Sequence, residues 1–549
     1  MDDSNMKERP LDERNQDNVR KPTLSSKESS VPLENSKIRT SAWLTLAVLG
    51  CTLLVTFYGE TMLLPAIRDI ITDFHISYST SSWILTAYLI SGAVATPIAG
   101  KLSDIYGRKK MVLVIFVIYI IGISIGGLSR DIDLLIIARV IQGIGISMFP
   151  IAFGIIRDQL PKDKLAIGVG VFSSMFAAGS VVGLAIGGTV VKNFGWHATF
   201  LSILPAAIIL WVVINRVIID SRVKVISSNE ANDEKIANQK HPKEIKNVST
   251  AKSIDLKGGI ALAATIASFL LALTFVGNSN HLNSFAQLTV VFLAILSIGS
   301  LALFVNIERK AASPLIELSL MTHKVLLPAN IIILIFGITM FMVYQTIPIL
   351  IRSPYPLGFG GDAVTTAMVQ LPFMIVILVF APSSGFIVSK IGNLKPTIAG
   401  TAVMTIGFFC LYMFHPTEFA VAINLAVIAV GISLIQVGAF NITMEFTPIQ
   451  FSGVSLGMSV VLFLIGSSIG PAIAGIYMQM NQEFAKGTSS PFPSQSAYSF
   501  IFLTAASISV LSVILVLYLR RRVKQSDPIQ SLGLKSSSNE GSPKRHTTE

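Results

Sequence analysis

Three short stretches hold residues able to do chemistry where a plain apolar chain would have none. In "LLVTFYGETMLLP" a carboxylic acid, Glu60, stands inside an apolar run. An ionised carboxylate in hydrocarbon is costly and is usually paired, protonated or functional. Burial disfavours the charged form and a nearby cation favours it, which is the balance a proton carrier needs. In "DLLIIARVIQGIG" Arg139 poses the same problem with opposite sign, and Gln142, three residues on, shares its helix face and extends its network. In "GKLSDIYGRKK", residues 100–110, five charges and two glycines crowd a connection that needs only a few polar residues. Asp104 lies four residues before Arg108, close enough to pair, while Gly100 and Gly107 allow tight packing. Such a turn suits a latch, with Asp104 docking on the unpaired amides where a later span begins near Ser452 and Gly453. The plainer alternatives are a turn that only marks topology, a Glu60 that lines a wet vestibule, and an Arg139 bonded to backbone carbonyls for structure alone.

These residues need elements that hold charge within a membrane, and the composition supplies them. The 549 residues are 52% hydrophobic and 13% charged, with a mean hydropathy of +0.67, outside the range of soluble globular chains. Apolar runs of about 20 residues, the length a helix needs to cross hydrocarbon, fall near 43–63, 81–99, 111–128, 133–152, 166–191, 198–219, 258–277, 285–305, 326–350, 364–388, 396–414, 419–440, 454–478 and 498–519. The expectation is an all-α integral membrane protein of fourteen spans. An even count puts both termini on one side, and positive charge assigns them to the cytoplasm. Lys101, Arg108, Lys109, Lys110, Arg157, Lys162, Lys164, the basic stretch 222–257, Arg309, Lys310, Lys324, Lys390 and Lys395 then lie inside. Only Arg68, Arg130, Lys192, Arg352 and Lys486 lie outside. The net charge of +11 therefore reports orientation in a plasma membrane and not a nucleic-acid partner. Cys51 and Cys410 read as small core residues, and no metal-ligand spacing or cofactor motif is present.

The chain also echoes itself. "GKLSDIYGRKK" has a faded counterpart in "SGFIVSKIGNLKP" (384–396), and "GSVVGLAIGG" (179–188) is matched by "GSSIGPAIAG" (466–475), an offset of about 285 residues. Gly179, Gly183, Gly187 and Gly188, and Gly466, Gly470 and Pro471, are the candidate helix-packing positions of the second pair. The organisation expected is a cytoplasmic tail 1–41, a six-span bundle 42–220, a loop 221–257, two extra spans 258–305, a connection 306–325, a second six-span bundle 326–519 and a tail 520–549.

With fourteen spans, a half-repeat and this charged turn after span 2, the chain resembles a major facilitator superfamily transporter, most closely the fourteen-span drug:proton antiporter family. Gly100, Leu102, Asp104, Gly107, Arg108, Lys109 and Lys110 match the superfamily's signature, and "ARVIQGIG" (138–145) is similar to its span-4 motif. "GSVVGLAIGG" resembles the span-5 antiporter motif with Leu184 where proline is usual, and "FGWHATFLSILP" has His197 where arginine is usual. The resemblance implies the major facilitator fold, with two six-helix bundles flanking two extra central spans. It also implies that Arg139 serves coupling or gating beside the proton site, while the residue reading above assigns proton coupling to Glu60 and the conformational latch to Gly100, Asp104, Gly107 and Arg108.

Fold does not set substrate. No Gly-x-x-x-x-Gly-Lys-Ser/Thr stretch occurs, which argues against an ATP-driven pump, and no enzyme activity is expected. Tyr58, Trp83, Gln142, Tyr344, Gln345, Gln370, Gln436 and Asn441 are the polar or aromatic candidates for a substrate pocket. The function expected is proton-coupled export of amphipathic small molecules by a monomer in the lipid bilayer. The alternatives are a metabolite or siderophore transporter of the same fold and a transport-inactive sensor or scaffold.

Overall fold

In the computed structural model the chain is described over residues 40–160, 165–218, 256–277, 284–311, 322–447, 452–485 and 490–523. The tails and the 221–257 loop fall largely outside this set. Fourteen helices form the body: α1 (Thr40–Thr61), α2 (Trp83–Tyr106), α3 (Arg108–Gly127), α4 (Ile132–Gly143, continued as Met148–Gln159), α5 (Leu165–Phe194), α6 (His197–Val217), α7 (Leu256–Gly277), α8 (Ser284–Lys310), α9 (Leu326–Arg352), α10 (Ala363–Ile391), α11 (Leu394–Met413), α12 (Glu418–Glu445), α13 (Ser452–Met480) and α14 (Gln495–Val523). Thirteen membrane-length apolar segments lie among the described residues, and α7, with a shorter apolar stretch Lys257–Leu273, makes the fourteenth. A two-stranded antiparallel ribbon, β1 (Gln482–Phe484) and β2 (Pro491–Pro493), precedes α14.

Hydrocarbon length sets the helices, and local chemistry sets their ends. Asp131, Asp362 and Thr417 each accept a bond from the backbone N–H three residues on, satisfying an amide that the helix start leaves free. The 100–110 stretch is more helical than the sequence implied. α2 runs on to Tyr106 and α3 begins at Arg108, so Gly107 alone turns the chain, at φ 99°. A side chain at that φ is strained, which is why glycine stands there.

Packing follows the small residues. α5 lies against α1, where a methyl carbon at Gly183 would come 2.1 Å from Thr61 Oγ1 and 2.8 Å from the Tyr58 carbonyl. Gly179 faces α1 at Leu54 and Gly187 faces Met62 just beyond its end, whereas Gly188 faces Ala363 of α10. The matching motif packs α13 on α9 through Gly466 and Gly470, next to Pro471 within α13.

One apolar cluster is drawn mainly from α1–α6, including Leu49, Phe116, Ile151, Phe172 and Phe200. Another joins α9–α14 with Ile266 and Leu270 of α7 and with Leu85, Tyr88 and Leu89 of α2. α7 packs on α2 and α13 as well as on α8. The outer face of α8 exposes Leu288, Phe292 and Ile298, as a lipid-facing helix does. Cys51 and Cys410 correct the sequence reading: both are exposed on helix faces and not buried in a core. Glu445, the last residue of α12, accepts a bond from Asn393 Nδ2 at 2.7 Å.

Candidate functional site

Both helices that carry the charges are interrupted beside them. α1 ends at Thr61, and a 3-10 turn Leu64–Ala66 around Pro65 leads into a short helix Ile67–Asp73. The span thus continues past Glu60, which is 3% exposed. In α4 a 3-10 turn, Ile144–Ser147, follows Arg139 and Gln142, a break of the kind that often marks a hinge.

Arg139 is fully buried and its fork is held from three directions. Nε donates to the Ile84 carbonyl at 2.8 Å, and one terminal nitrogen donates to the Gly59 carbonyl at 3.0 Å and to Gln142 Oε1 at 2.7 Å. The guanidinium lies 4.3 Å from the centre of the Tyr88 ring, a cation–π contact that substitutes for some of its lost hydration. Its other terminal nitrogen is buried with no hydrogen bond among the described residues. The charge is within electrostatic reach of Glu60, whose carboxyl makes no hydrogen bond or ion pair among the described residues. Tyr119 closes the cluster by donating to the Val55 carbonyl at 2.9 Å. Gly59 permits this packing, because a methyl carbon there would sit 2.2 Å from the Tyr119 hydroxyl and 2.8 Å from Gln142 Nε2. Sequence reading missed Tyr88 and Tyr119. The signal available was two tyrosines buried in apolar spans beside the one that carries Arg139.

The second half presents uncharged groups. Tyr344 is within electrostatic reach of Glu60, and its hydroxyl is buried with no hydrogen bond among the described residues. Both amide atoms of Gln345 and the Oε1 of Gln370 are in the same condition, while Gln370 Nε2 donates to the Tyr344 carbonyl at 3.1 Å. The remaining candidates scatter. Tyr58 bonds Ser202 of α6 at 2.9 Å, and Trp83, Gln436 and Asn441 are only partly buried. The geometry therefore offers one acid and one cation on the first half, facing unpartnered neutral donors and acceptors on the second.

Residues 49–471 match the family model described as Major Facilitator Superfamily. The chain belongs to the Major Facilitator Superfamily. Relatives of this transporter include Multidrug resistance protein 3 of Bacillus subtilis (strain 168), 26% identical over 437 residues that cover 78% of each chain. The Tetracenomycin C resistance and export protein of Streptomyces glaucescens is 23% identical over 451 residues, covering 81% of this chain and 77% of its own. Among solved structures, the POT family transporter PepTSo matches with a TM-score of 0.59 at 14% identity, over 90% of this chain and 100% of that one. The human organic anion transporter MFSD10 (TETRAN) matches at 0.56 and 12% identity, over 86% of this chain and 99% of that one. These structural likenesses carry the fold alone.

The transporter's two halves are clasped at the end that carries Asp69. Arg352 of α9 grips Asp69 through two nitrogens, at 2.5 and 2.6 Å, and also donates to the Pro65 carbonyl at 3.0 Å. Lys192 of α5 pairs with Asp362 at 2.7 Å, and Thr86 Oγ1 reaches the Ser468 carbonyl at 3.2 Å. These bonds between the halves all lie toward one end. Lys192 beside it and the Thr365 N–H hold the Asp362 carboxyl well below the usual carboxylate range.

At the opposite end, Gly100, Gly385 and Gly457 face open space. Arg108 there donates to the Gly154 carbonyl at 2.9 Å, and Lys109 to that of Asn215 at 2.8 Å. The side chains of Asp104 and Ser452 lie outside the described residues. Sequence reading had used Arg352 and Lys192 only to count outside charges. Their acidic partners stand at the ends of other spans, and that complementarity was the available signal.

Proposed function

We propose that this transporter exports amphipathic small molecules from the cytoplasm in exchange for protons, by alternating access of two six-span bundles joined through α7 and α8. The observation that carries the reading is the buried Glu60, within electrostatic reach of the fully buried Arg139 fork and opposite Tyr344 of the other half. A carboxyl so placed changes charge at high cost unless the bundle moves to admit water, so its protonation is tied to which side is open. Relatives named for multidrug resistance and for export support drug-like cargo. With both termini in the cytoplasm of a plasma-membrane protein, as the loop charges direct, the Asp69–Arg352 end faces outward and the conformation seen is closed to the outside. Closing the cytoplasmic end would bring Asp104 to the start of α13 as a latch.

Transport assays in everted vesicles, with the proton gradient imposed and then collapsed, test this. Lipophilic-dye accumulation should follow the gradient in the wild type. Glu60→Gln, which keeps shape and hydrogen bonding but cannot titrate, should abolish gradient-driven accumulation while equilibrium dye binding persists. Full gradient-driven transport by Glu60→Gln would move the coupling role elsewhere.

A further inference from the structure

The repeat brings an unassigned place in the second half into correspondence with the Arg139 site. Gly100 recurs as Gly385 and Gly107 as Gly392, 285 positions on, and Gly179 recurs as Gly466, 287 positions on. At the intermediate offset of 286, Tyr58 falls on Tyr344, Ile84 on Gln370, Arg139 on Leu425 and Gln142 on Ile428. The structure gathers these four second-half residues around one cavity of about 10 Å³, walled also by Met340, Val343, Ile347, Phe373 and Phe408. In the first half a guanidinium fills this place and bonds the carbonyls of Ile84 and Gly59. In the second half leucine and isoleucine replace the cation and its glutamine partner, so the place is left partly empty and uncharged.

Two of the residues lining that cavity carry a buried polar atom with no hydrogen bond among the described residues. The Tyr344 hydroxyl is a donor, and Gln370 Oε1 is an acceptor held in orientation because its amide nitrogen already donates to the Tyr344 carbonyl. Their residues are 4% and 1% exposed. A buried donor or acceptor left unpaired costs free energy that a fitting partner restores. The space admits about one water-sized group. The walls themselves carry no charge, so a charged group seated among them would be desolvated with only two neutral bonds in return, whereas Glu60 lies on the other half.

We infer that Tyr344 and Gln370 form a subsite for a single uncharged hydroxyl of the transported molecule, seated among apolar walls. A hydroxyl accepts from Tyr344 and donates to Gln370 Oε1, so it meets both needs. A carbonyl or ether oxygen meets only the first, and an ether also adds a carbon the cavity has no room for. The inference deepens the export reading and rests on it for the word transported. It selects hydroxylated, uncharged amphiphiles over their methylated or permanently cationic analogues, and it places substrate recognition on the half opposite the titrating acid.

The test is equilibrium binding of three matched probes, para-phenylphenol, para-methoxybiphenyl and biphenyl, to the full chain in lipid nanodiscs without a gradient. The wild type should prefer the phenol by roughly tenfold or more, the discrimination expected of a site built to bond a hydroxyl. Tyr344→Phe and Gln370→Met should each bring the preference below about threefold, with the affinity for biphenyl kept. Equal affinity of the wild type for phenol and ether would overturn the subsite and leave a pocket that holds water only. So would a preference that survives both substitutions. Binding is read apart from transport, so a hydroxyl preference without gradient-driven efflux defeats the export reading alone, and efflux without the preference defeats the subsite alone.

Discussion

If the Asp69–Arg352 pair holds the halves together at one end, removing it should open that end by a predictable amount. Two nitrogens of Arg352 meet the two Asp69 oxygens, and one also bonds the Pro65 carbonyl. The side chains are 16% and 33% exposed, so water screens the pair only in part. A charge-assisted hydrogen bond contributes about 1.5–3 kcal/mol when buried, whereas exposed pairs give about 0.2–1 kcal/mol. For a bidentate pair between these limits we take ~2 kcal/mol, which moves the equilibrium about 30-fold. The Lys192–Asp362 pair, with side chains 55% and 44% exposed, belongs to the weaker class and should shift it less than about fivefold. The perturbation is Arg352→Met, compared with Lys192→Met and the Asp69→Asn, Arg352→Met double variant. The assay is the electron–electron distance distribution between spin labels at Thr72 and Phe484, exposed positions of the two halves at this end, after replacing the exposed Cys51 and Cys410. Arg352→Met should populate a longer distance strongly, Lys192→Met weakly, and the double variant no more than Arg352→Met. An unchanged distribution in Arg352→Met, or an equal shift in Lys192→Met, would refute the reasoning.

Three other outcomes follow from the geometry. Because Lys192 and the Thr365 N–H depress the Asp362 carboxyl below its ordinary value of 3.8, its stabilising charge is fully present above that value and lost only as pH falls through the depressed one. Any change in the same distance distribution between pH 5 and 8 should therefore persist in Lys192→Met, and its disappearance there would implicate the pair. Gly183→Val forces carbon against Thr61 and the Tyr58 carbonyl and should cost about 1–3 kcal/mol or more, seen as a lower unfolding midpoint, whereas Gly385→Ala, facing open space within a helix, should not lower it. Arg139→Met removes the donor to Gln142 Oε1 and to the Gly59 carbonyl, and each polar group left unpaired should cost about 1–3 kcal/mol. Arg139→Lys keeps charge without the planar fork and should recover only part of the midpoint.

The spans were legible in the amino-acid sequence because hydrocarbon thickness demands runs of about 20 apolar residues, and no tertiary contact can change that demand. Glu60 and Arg139 were legible for the complementary reason, since a charge inside such a run is anomalous before anything is known of its neighbours. The small-residue motifs could be read as packing faces, but not which helix each would meet: Gly183 meets α1, and Gly188, on the same helix, meets α10. What surrounds the charges was decided by the bundle. Tyr88 and Tyr119 come from other spans than Arg139, and Asp69 and Arg352 meet across 283 positions. The cavity at Tyr344 and Gln370 depends on four helices closing around the place where the other half holds its cation. Apolar length is a property of each segment alone, whereas partnership is a property of how segments pack, and only the folded bundle brings those partners within bonding distance.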